Sequence, residues 1–594
     1  MSPKQALAST MSNPLANRNG PVRCSTWYVA PGIFFVVLAV YILSSAGRID
    51  IVDGQARYDV AYNWLTEGRP VLRDSWIGPF MGVPGRDGLR YSYYGAPASF
   101  FSIPLLWLAK FFDTPAREVS RFLFSLTSCF FGAAIAGVLF LFYVELGVSH
   151  RRAVFWVAVS SFATLLWPLS TSTFDNAQHA FFLLAASYLG FMSAKRSSKL
   201  LAAASGSLAA VLILYQEYFL LLVPVLAVST LRWDFANDAI SANPPVGSPK
   251  SWYSELNSGF YYDLRRLFEL ARAAFREGGE ARASCDRFLL CAGTAVTVGL
   301  ALSFTYNNLR FGSFLDDGKL RPELHPFPLF GNPLAGLVTL LLSPGKSVFL
   351  YSPPLILGLL AILHFRVIQR AVAFTVVTTS IVLISFLSCI LFVGGDWCWG
   401  PRYLAPLLPL WALGLPFLGG KIRREVVLSI IGAGLIIQML ALSVENQRFF
   451  FERSLPAYFW AYDPWFYFKH SALFARVSET ISLSKGLPSN AQFFNSIPIS
   501  DWCTYTILGP PVNLPSGRIP EWMLHFKIYY LPRPWPLWMS WIKPAMRPIN
   551  LQAWVYTLLG ILGIGLVSIC RGLELGLKKR SAPYIEVEKE AALP

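Results

Sequence analysis

Residues 200–231 read LLAAASGSLAAVLILYQEYFLLLVPVLAVSTL, and the fold turns on how this run is parsed. Only Gln216-Glu217 interrupts its apolar character. As one segment it is a single broken membrane span; as two, 200–215 and 218–231, it crosses and returns. A helix rises about 1.5 Å per residue and needs about 20 residues to cross a hydrocarbon core of about 30 Å, so length leaves both readings open. Charge decides between them, because basic residues near span ends favour the cytoplasmic side. With a reversal at Gln216-Glu217, the clusters Arg151-Arg152, Lys195-Arg196-Lys199, Arg366/Arg370, Lys421/Arg423/Arg424 and Lys578-Lys579-Arg580 all fall on one side. Lys4, Arg18 and Arg23, ahead of the first span, join them there. Without the reversal, every later cluster changes sides.

Working outward, uncharged runs lie at about 28–46, 122–144, 153–173, 176–194, 200–215, 218–231, 289–306, 348–365, 371–393, 403–420, 426–444 and 553–570. The sequence therefore predicts an all-α polytopic membrane protein of about twelve transmembrane helices with both termini cytoplasmic. The stretch 98–112 is apolar but short, with Pro104 and Lys110 inside it. Counting it as a span breaks the charge pattern, so it is expected to lie along the outer surface as an interfacial helix. The first run is long for a signal-peptide core and follows a long polar lead, so it is expected to remain as an anchor.

Composition agrees. Of 594 residues, 54% are hydrophobic and 14% charged, against about 25% charged in a soluble domain. This excludes a disordered chain and argues against a soluble enzyme. Fifty basic against thirty-four acidic residues leave a net charge of +16, yet the apolar excess comes in long uncharged runs, which argues against a nucleic-acid binder. The spans carry almost no ionisable groups, which counts against an ion-coupled transporter.

The organisation that follows is a cytoplasmic tail at 1–27, a membrane core at 28–444, an external aromatic-rich segment at 445–552, a last span at 553–570 and a cytoplasmic tail at 571–594. Within the core, 47–121 is the first external loop and 307–347 another. The loop 232–288 is cytoplasmic, with an amphipathic stretch at Leu264–Phe275 expected to lie on the membrane surface. Short apolar stretches around Pro534–Trp541 suggest that the 445–552 segment rests against the membrane as a packing layer, or serves as an aromatic acceptor platform. The eight cysteines show no metal-type spacing; Cys398 and Cys503 fall outside, as a disulfide or as two unrelated thiols.

The polar chemistry collects on the external side. Directly after the first span comes Gly47-Arg48-Ile49-Asp50-Ile51-Val52-Asp53-Gly54-Gln55-Ala56-Arg57-Tyr58-Asp59. From Asp53 on, Ala56, Val60, Ala61 and Leu65 recur at helical spacing. Arg57, four residues from Asp53, is placed to pair with it; that pair is a structural ion pair or the support of a carboxylate poised as a base at the lipid interface. Gly394-Gly395-Asp396-Trp397-Cys398-Trp399-Gly400-Pro401-Arg402-Tyr403 forms a tight turn whose tryptophans suit an interfacial belt and whose arginine suits a lipid-linked phosphate. Further clusters are Tyr91-Ser92-Tyr93-Tyr94-Gly95, Tyr306-Asn307-Asn308-Leu309-Arg310-Phe311-Gly312-Ser313, Ser343-Pro344-Gly345-Lys346 and Asp175-Asn176. Asp50, Asp175 and Asp396 are the candidates for a second carboxylate.

At these residues, over about 28–444, the chain resembles the GT-C superfamily of polytopic glycosyltransferases, and within it the bacterial relatives of the protein O-mannosyltransferase and lipid A aminoarabinose transferase group. The likeness rests on the order of Asp53-Gly54 with Arg57-Tyr58, the Tyr-Ser-x-Tyr-Gly element, Asn-x-x-Arg-Phe-Gly-Ser, Ser-Pro-Gly-Lys leading to Tyr351-Ser352-Pro353-Pro354, and the Trp-Gly-Pro-Arg-Tyr-Leu-x-Pro-Leu-Leu-Pro run at 399–409. The resemblance implies a transferase on the outer face of a bacterial inner membrane, with a polyprenyl-phosphate-linked sugar as donor and a glycan, lipid or protein as acceptor, working by inverting displacement. It implies Asp53 as catalytic carboxylate with Asp50 as rival, and Arg402 and Lys346 on the donor phosphate. Arg57 is expected to orient Asp53, while Tyr58, Tyr94 and Trp399 shape the sugar site. No metal or other cofactor is expected. Many relatives carry Asp-Glu where this chain has Asp53-Gly54, so a second carboxylate is absent or comes from elsewhere, such as Asp175. Relatives often place a lysine where this chain has Tyr93. The competing readings are a lipid-linked saccharide flippase, which needs polar groups along a path through the bilayer, and a non-catalytic scaffold.

Overall fold

A computed structural model describes residues 22–73, 81–112, 117–231, 279–319, 329–368, 370–395, 398–418, 422–449, 468, 471–494, 532–547 and 549–578. The protein is an all-α polytopic membrane protein. Six described helices are long and apolar enough to cross a membrane: Ser25–Ser44, Glu118–Glu145, Gly279–Phe311, Ala371–Ser388, Arg424–Ser443 and Leu551–Gly576. Among the described residues the one sheet is a short antiparallel pair, Gly82–Pro84 with Arg90–Ser92.

Several other apolar runs are broken helices, and the breaks have local causes. In 403–420, Pro406, Pro409 and Pro416 remove backbone donors, leaving 3₁₀ turns at Arg402–Leu407 and Leu415–Phe417 around a short helix, Leu408–Ala412. Ser352-Pro353 likewise separates Val348–Tyr351 from Pro354–Ile368. Such irregular backbone is tolerated at membrane depth where protein covers it, and Leu404, Leu407, Leu408 and Leu410 are fully buried.

The run 200–231 does reverse. Lys199–Tyr215 is helical, Gln216 is extended, and Glu217–Leu222 and Val223–Val228 lead back. The outgoing leg lies parallel to Gly279–Phe311: Lys199 pairs with Asp286 at 2.9 Å, Cys291 Sγ meets Ser205 Oγ, and Gly299 seats against Ile213. The return leg ends with the Thr230 carbonyl accepting from Arg287 Nε, beside Asp286. Residues 199 and 230 thus share one end of the molecule and Glu217 lies toward the other. His150 meets Ser25 and Thr26, Lys195 pairs with Glu145, and Ser568 donates to the Tyr28 carbonyl. These contacts gather the start of the first helix, the 145–152 turn, the 195–199 turn and the end of the last helix at that same end.

The stretch expected as interfacial forms two short helices, Ala96–Phe100 and Ile103–Ala109. It buries Leu106 and Ala109 and exposes Trp107, Phe111 and Phe112, as a surface-lying segment should. The expected surface layer around Pro534–Trp541 is instead inserted: Trp535, Trp538 and Met539 are wholly buried. The reason is polar as well as apolar, since the indole N–H groups of Trp535 and Trp538 donate to the carbonyls of Ile42 and Ala46 at the end of the first helix. The amphipathic stretch 264–275 and the aromatic run 458–466 lie outside the described residues.

Candidate active site

The helix Val52–Glu67 begins where Ile51 is extended, and Asp53 sits in its first turn, where a carboxylate faces the positive end of the helix dipole. Arg57, one turn on, shares Asp53's face. Tyr58 does not: five residues on a helix is a rotation of about 140° beyond a full turn. Its ring packs with Ile49, Ala61, Leu106 and Phe124, and its hydroxyl meets Ser120 Oγ at 2.8 Å. Tyr58 therefore belongs to the packing behind the helix rather than to a sugar site.

Close approach of a second element completes the site. A side chain at Gly54 would collide with Thr173 Oγ1 and Cβ, so glycine here admits the turn 171–175, which carries Asp175. Asp50 holds that turn, its Oδ1 accepting from Thr173 N at 2.8 Å and Thr173 Oγ1 at 2.6 Å while its Oδ2 pairs with Arg533 at 3.5 Å. Asp50, the rival carboxylate, is thus committed to backbone, hydroxyl and guanidinium donors.

The pairing differs from the one that helical spacing suggests. Arg57 Nη2 contacts Asp175 Oδ2 at 2.8 Å, and Asp53 Oδ2 accepts instead from Arg402 Nη1 at 3.2 Å. The Tyr94 ring, 4.4 Å from the Arg57 guanidinium carbon, supports the side chain as it reaches across to Asp175. Arg402 lies over Phe174 at 4.1 Å and reaches Tyr403 Oη at 3.4 Å. Two carboxylates and two guanidiniums therefore meet in one buried patch without net charge, which offsets the cost of burying each.

Electrostatics follow from that balance. Burial pulls the Arg57 guanidinium down, but Asp175 and Asp53 outweigh it and hold its pKa above the ordinary value. Burial pushes Asp175 up, and Arg57, with His179 at 3.5 Å and Arg402, brings it below the usual carboxylate range. Burial together with the Asp53 charge raises the Tyr93 and Tyr94 phenols, so both stay protonated. Their hydroxyls turn toward Met81 Sδ, at 3.0 and 3.8 Å. Three guanidinium nitrogens here, Arg57 Nε and Nη1 and Arg402 Nε, are buried without a hydrogen-bond partner among the described residues.

The remaining motifs support this patch. Arg310 donates to the carbonyls of Ser92 and Tyr94 and to Asn307 Oδ1, with its guanidinium over Tyr306; the 306–313 cluster fastens the tyrosine loop. Lys346 Nζ donates to the carbonyls of Cys398 at 3.0 Å and Gly400 at 3.3 Å, fastening the loop that leads into Arg402. Trp399 is buried edge-on against Tyr351, with Arg476 over its ring. Cys398 is a buried free thiol, and Cys503 and Asp396 lie outside the described residues. Among the described residues no three His, Cys, Asp or Glu side chains gather to hold a metal ion. Sequence reasoning missed Phe174 and His179 as neighbours of the patch and gave Tyr403 no role although it stands inside the Trp-Gly-Pro-Arg-Tyr element; Phe174 adjoins Asp175, which is its one signal.

No family model and no curated protein matches the chain. Among solved structures, it matches the Archaeoglobus fulgidus oligosaccharyltransferase in its apo form at 12% identity and TM-score 0.38, covering 83% of this chain and 61% of that one. The same enzyme tethered to an acceptor peptide with an NVT sequon matches at 11% identity and TM-score 0.38, over 83% and 60% of the two chains. ArnT from Cupriavidus metallidurans bound to undecaprenyl phosphate matches at 13% identity and TM-score 0.38, over 83% and 84%. The chain thus spans about three fifths of the oligosaccharyltransferase's length.

Proposed function

We propose that this protein is an integral-membrane glycosyltransferase of the GT-C kind, moving a sugar from a polyprenyl-phosphate donor to a cell-envelope acceptor by inverting displacement. The observation that carries this reading is the under-coordinated Asp53: among the described residues its carboxylate accepts one hydrogen bond, from an arginine that also has an uncommitted donor. In the reaction the acceptor hydroxyl oxygen attacks the anomeric carbon, Asp53 takes the hydroxyl proton, and the bond from that carbon to the phosphate oxygen breaks with its electron pair leaving on the phosphate. Arg402 and Arg57 face the charge that develops on the phosphate, where preorganised donors in a water-poor site act most strongly. Asp175 holds Arg57 in place and supplies the second carboxylate that Gly54 makes room for.

The order of motifs along 28–444 supports the same reading. A flippase needs charged or polar groups along its path, whereas here they collect at one end of the bundle; a scaffold has no need of an exposed lone pair on a buried carboxylate. In this reading the basic end faces the cytoplasm of a bacterial cell, the patch faces outward at the inner membrane, and the acceptor is a glycan, lipid or protein. Complementation of cell-surface glycan by Asp53→Asn tests it: the expected result is loss of the glycan with normal insertion, and full complementation would overturn the assignment. Labelling of single cysteines at 217 and 485 from outside the cell is expected for the orientation.

A further inference from the structure

Residues 532–541 lie almost ninety residues beyond the 28–444 stretch over which the resemblance runs, yet they touch the roots of both carboxylate-bearing elements. Its start is pinned by Arg533 N donating to the Ser443 carbonyl and by the Val444–Pro532 bridge. Two of its three tryptophans take carbonyls at the end of the first helix: Trp535 N reaches Ser45 O at 2.9 Å, Trp535 Nε1 reaches Ile42 O at 2.7 Å and Trp538 Nε1 reaches Ala46 O at 2.9 Å. Ile42 stands in the helix's last turn, where carbonyls lack the usual intrahelical donor, and also accepts from Ser45 N and Oγ; Ser45 and Ala46 lie just past the helix end. Gly47, at φ +62°, then turns the chain toward Asp50 and Asp53, and any side chain there would collide with Trp535.

Between these anchors stands Arg533, 2% exposed. One of its nitrogens, Nη2, reaches the Pro168 carbonyl at 3.1 Å, Thr171 Oγ1 at 3.4 Å and Asp50 Oδ2 at 3.5 Å. Asp50 precedes Asp53 by three residues and itself grips Thr173, while Thr171 and Thr173 precede Asp175 in the same turn. One guanidinium therefore ties the loop that launches Asp53 to the turn that carries Asp175, while neither of those acids is among its contacts. Arg48 with Glu445, at 2.8 Å, adds a second tie from the same loop to the residue just after Val444, which bridges Pro532.

We propose that 532–541 is a strut that sets the spacing of the two carboxylate-bearing elements, and that Arg533 is its positioning residue. Buried charge held for packing alone is replaceable by apolar side chains; a buried nitrogen that reaches a carbonyl, a hydroxyl and a carboxylate on two loops is not, because an apolar side chain would leave all three without that donor. Reacting groups misplaced by about 1 Å lose about a hundredfold in rate, so a strut that touches no substrate still controls turnover.

This inference rests on the glycosyltransferase reading, and its test separates the two. Purified full-length wild type, Arg533→Ala, Arg533→Lys, Trp538→Phe, Asp50→Asn and the Arg533→Ala/Asp50→Asn double variant are assayed with polyprenyl-phosphate sugars. The expected result for Arg533→Ala is a kcat lower by about tenfold to a hundredfold, with donor KM nearly unchanged because Arg57 and Arg402 remain. Arg533→Lys recovers part of the loss, Trp538→Phe loses a few-fold, and the double variant is no worse than the poorer single one. A lower melting temperature with unchanged kcat, or losses that multiply in the double variant, overturns the strut. The order of the two elements is read independently of activity from amide hydrogen exchange over 49–57 and 171–176: faster exchange in both without Arg533 is expected. Unchanged exchange overturns the strut even if the wild type transfers no sugar, a result that by itself overturns only the transferase reading.

Discussion

Two clusters of buried charge lie side by side at one end of this molecule, and they differ in how their acids are held. Asp50 accepts from a backbone amide, a hydroxyl and a guanidinium, and Glu445 accepts from Arg48 and its own neighbour's amide at Asn446. Among the described residues Asp53 accepts a hydrogen bond from Arg402 alone, at 3.2 Å, and its side chain is 11% exposed against 4% for Asp50. The lesson is that burial and pairing alone do not mark a reactive group. A carboxylate whose lone pairs are filled by donors from neighbouring loops is a fastener; one that keeps lone pairs free beside cations with uncommitted donors is available for chemistry.

The largest expected effect sharpens this contrast. Asp53→Asn is expected to lower transfer by about 10²–10⁴-fold, the range for losing a general base, with little change in melting temperature in detergent. Asp50→Asn is expected to do the reverse in weight: a clear drop in melting temperature, since breaking a buried pair costs about 3–5 kcal/mol, and a smaller loss of rate. Equal profiles for the two variants would dissolve the distinction. Arg402→Ala comes next. It strands Asp53 without its partner and removes a phosphate donor, so both stability and donor KM are expected to worsen, whereas Arg402→Lys keeps the charge but not the fork and is expected to fall between.

Gly54→Ala probes how the two clusters share the 171–175 turn. The added methyl collides with Thr173, and overpacking of this kind costs about 1–3 kcal/mol; rate is expected to fall with it, because Thr173 leads into Asp175. A glutamate at this position, as in many members of the resembled superfamily, is expected to be tolerated less well than alanine. The smallest effect is one of pH. The Asp175 carboxyl is held below its ordinary value of 3.8 in the folded protein. Its contribution is therefore complete above that value and lost as pH falls through the lower folded one. The melting-temperature gap between wild type and Asp175→Asn is expected to be flat between about pH 5 and 8 and to close only below about pH 4.

Much of the architecture was legible in the chain because charge sorting is a one-dimensional signal: the reversal at Gln216-Glu217 follows from where lysines and arginines stand. The place of Asp53, a carboxylate just past a span, was legible for a similar reason. Its partner was not. Helical spacing favours Arg57, but the contact goes to Arg402, 349 residues away, and no local rule selects among distant arginines. Tyr58 was separable in principle, since the rotation between positions 53 and 58 already puts the two on different faces. Arg533 and the tryptophans after it left no such trace, because an apolar, proline-rich stretch reads the same whether it lies on a membrane or is inserted beneath a loop.

The central claim is tested most directly by measuring donor binding and transfer together in purified Asp53→Asn with a polyprenyl-phosphate sugar and a competent acceptor. The account predicts that the variant binds the donor about as well as wild type, since Arg57 and Arg402 are intact, while transfer falls by at least about a hundredfold. Transfer at the wild-type rate would contradict it.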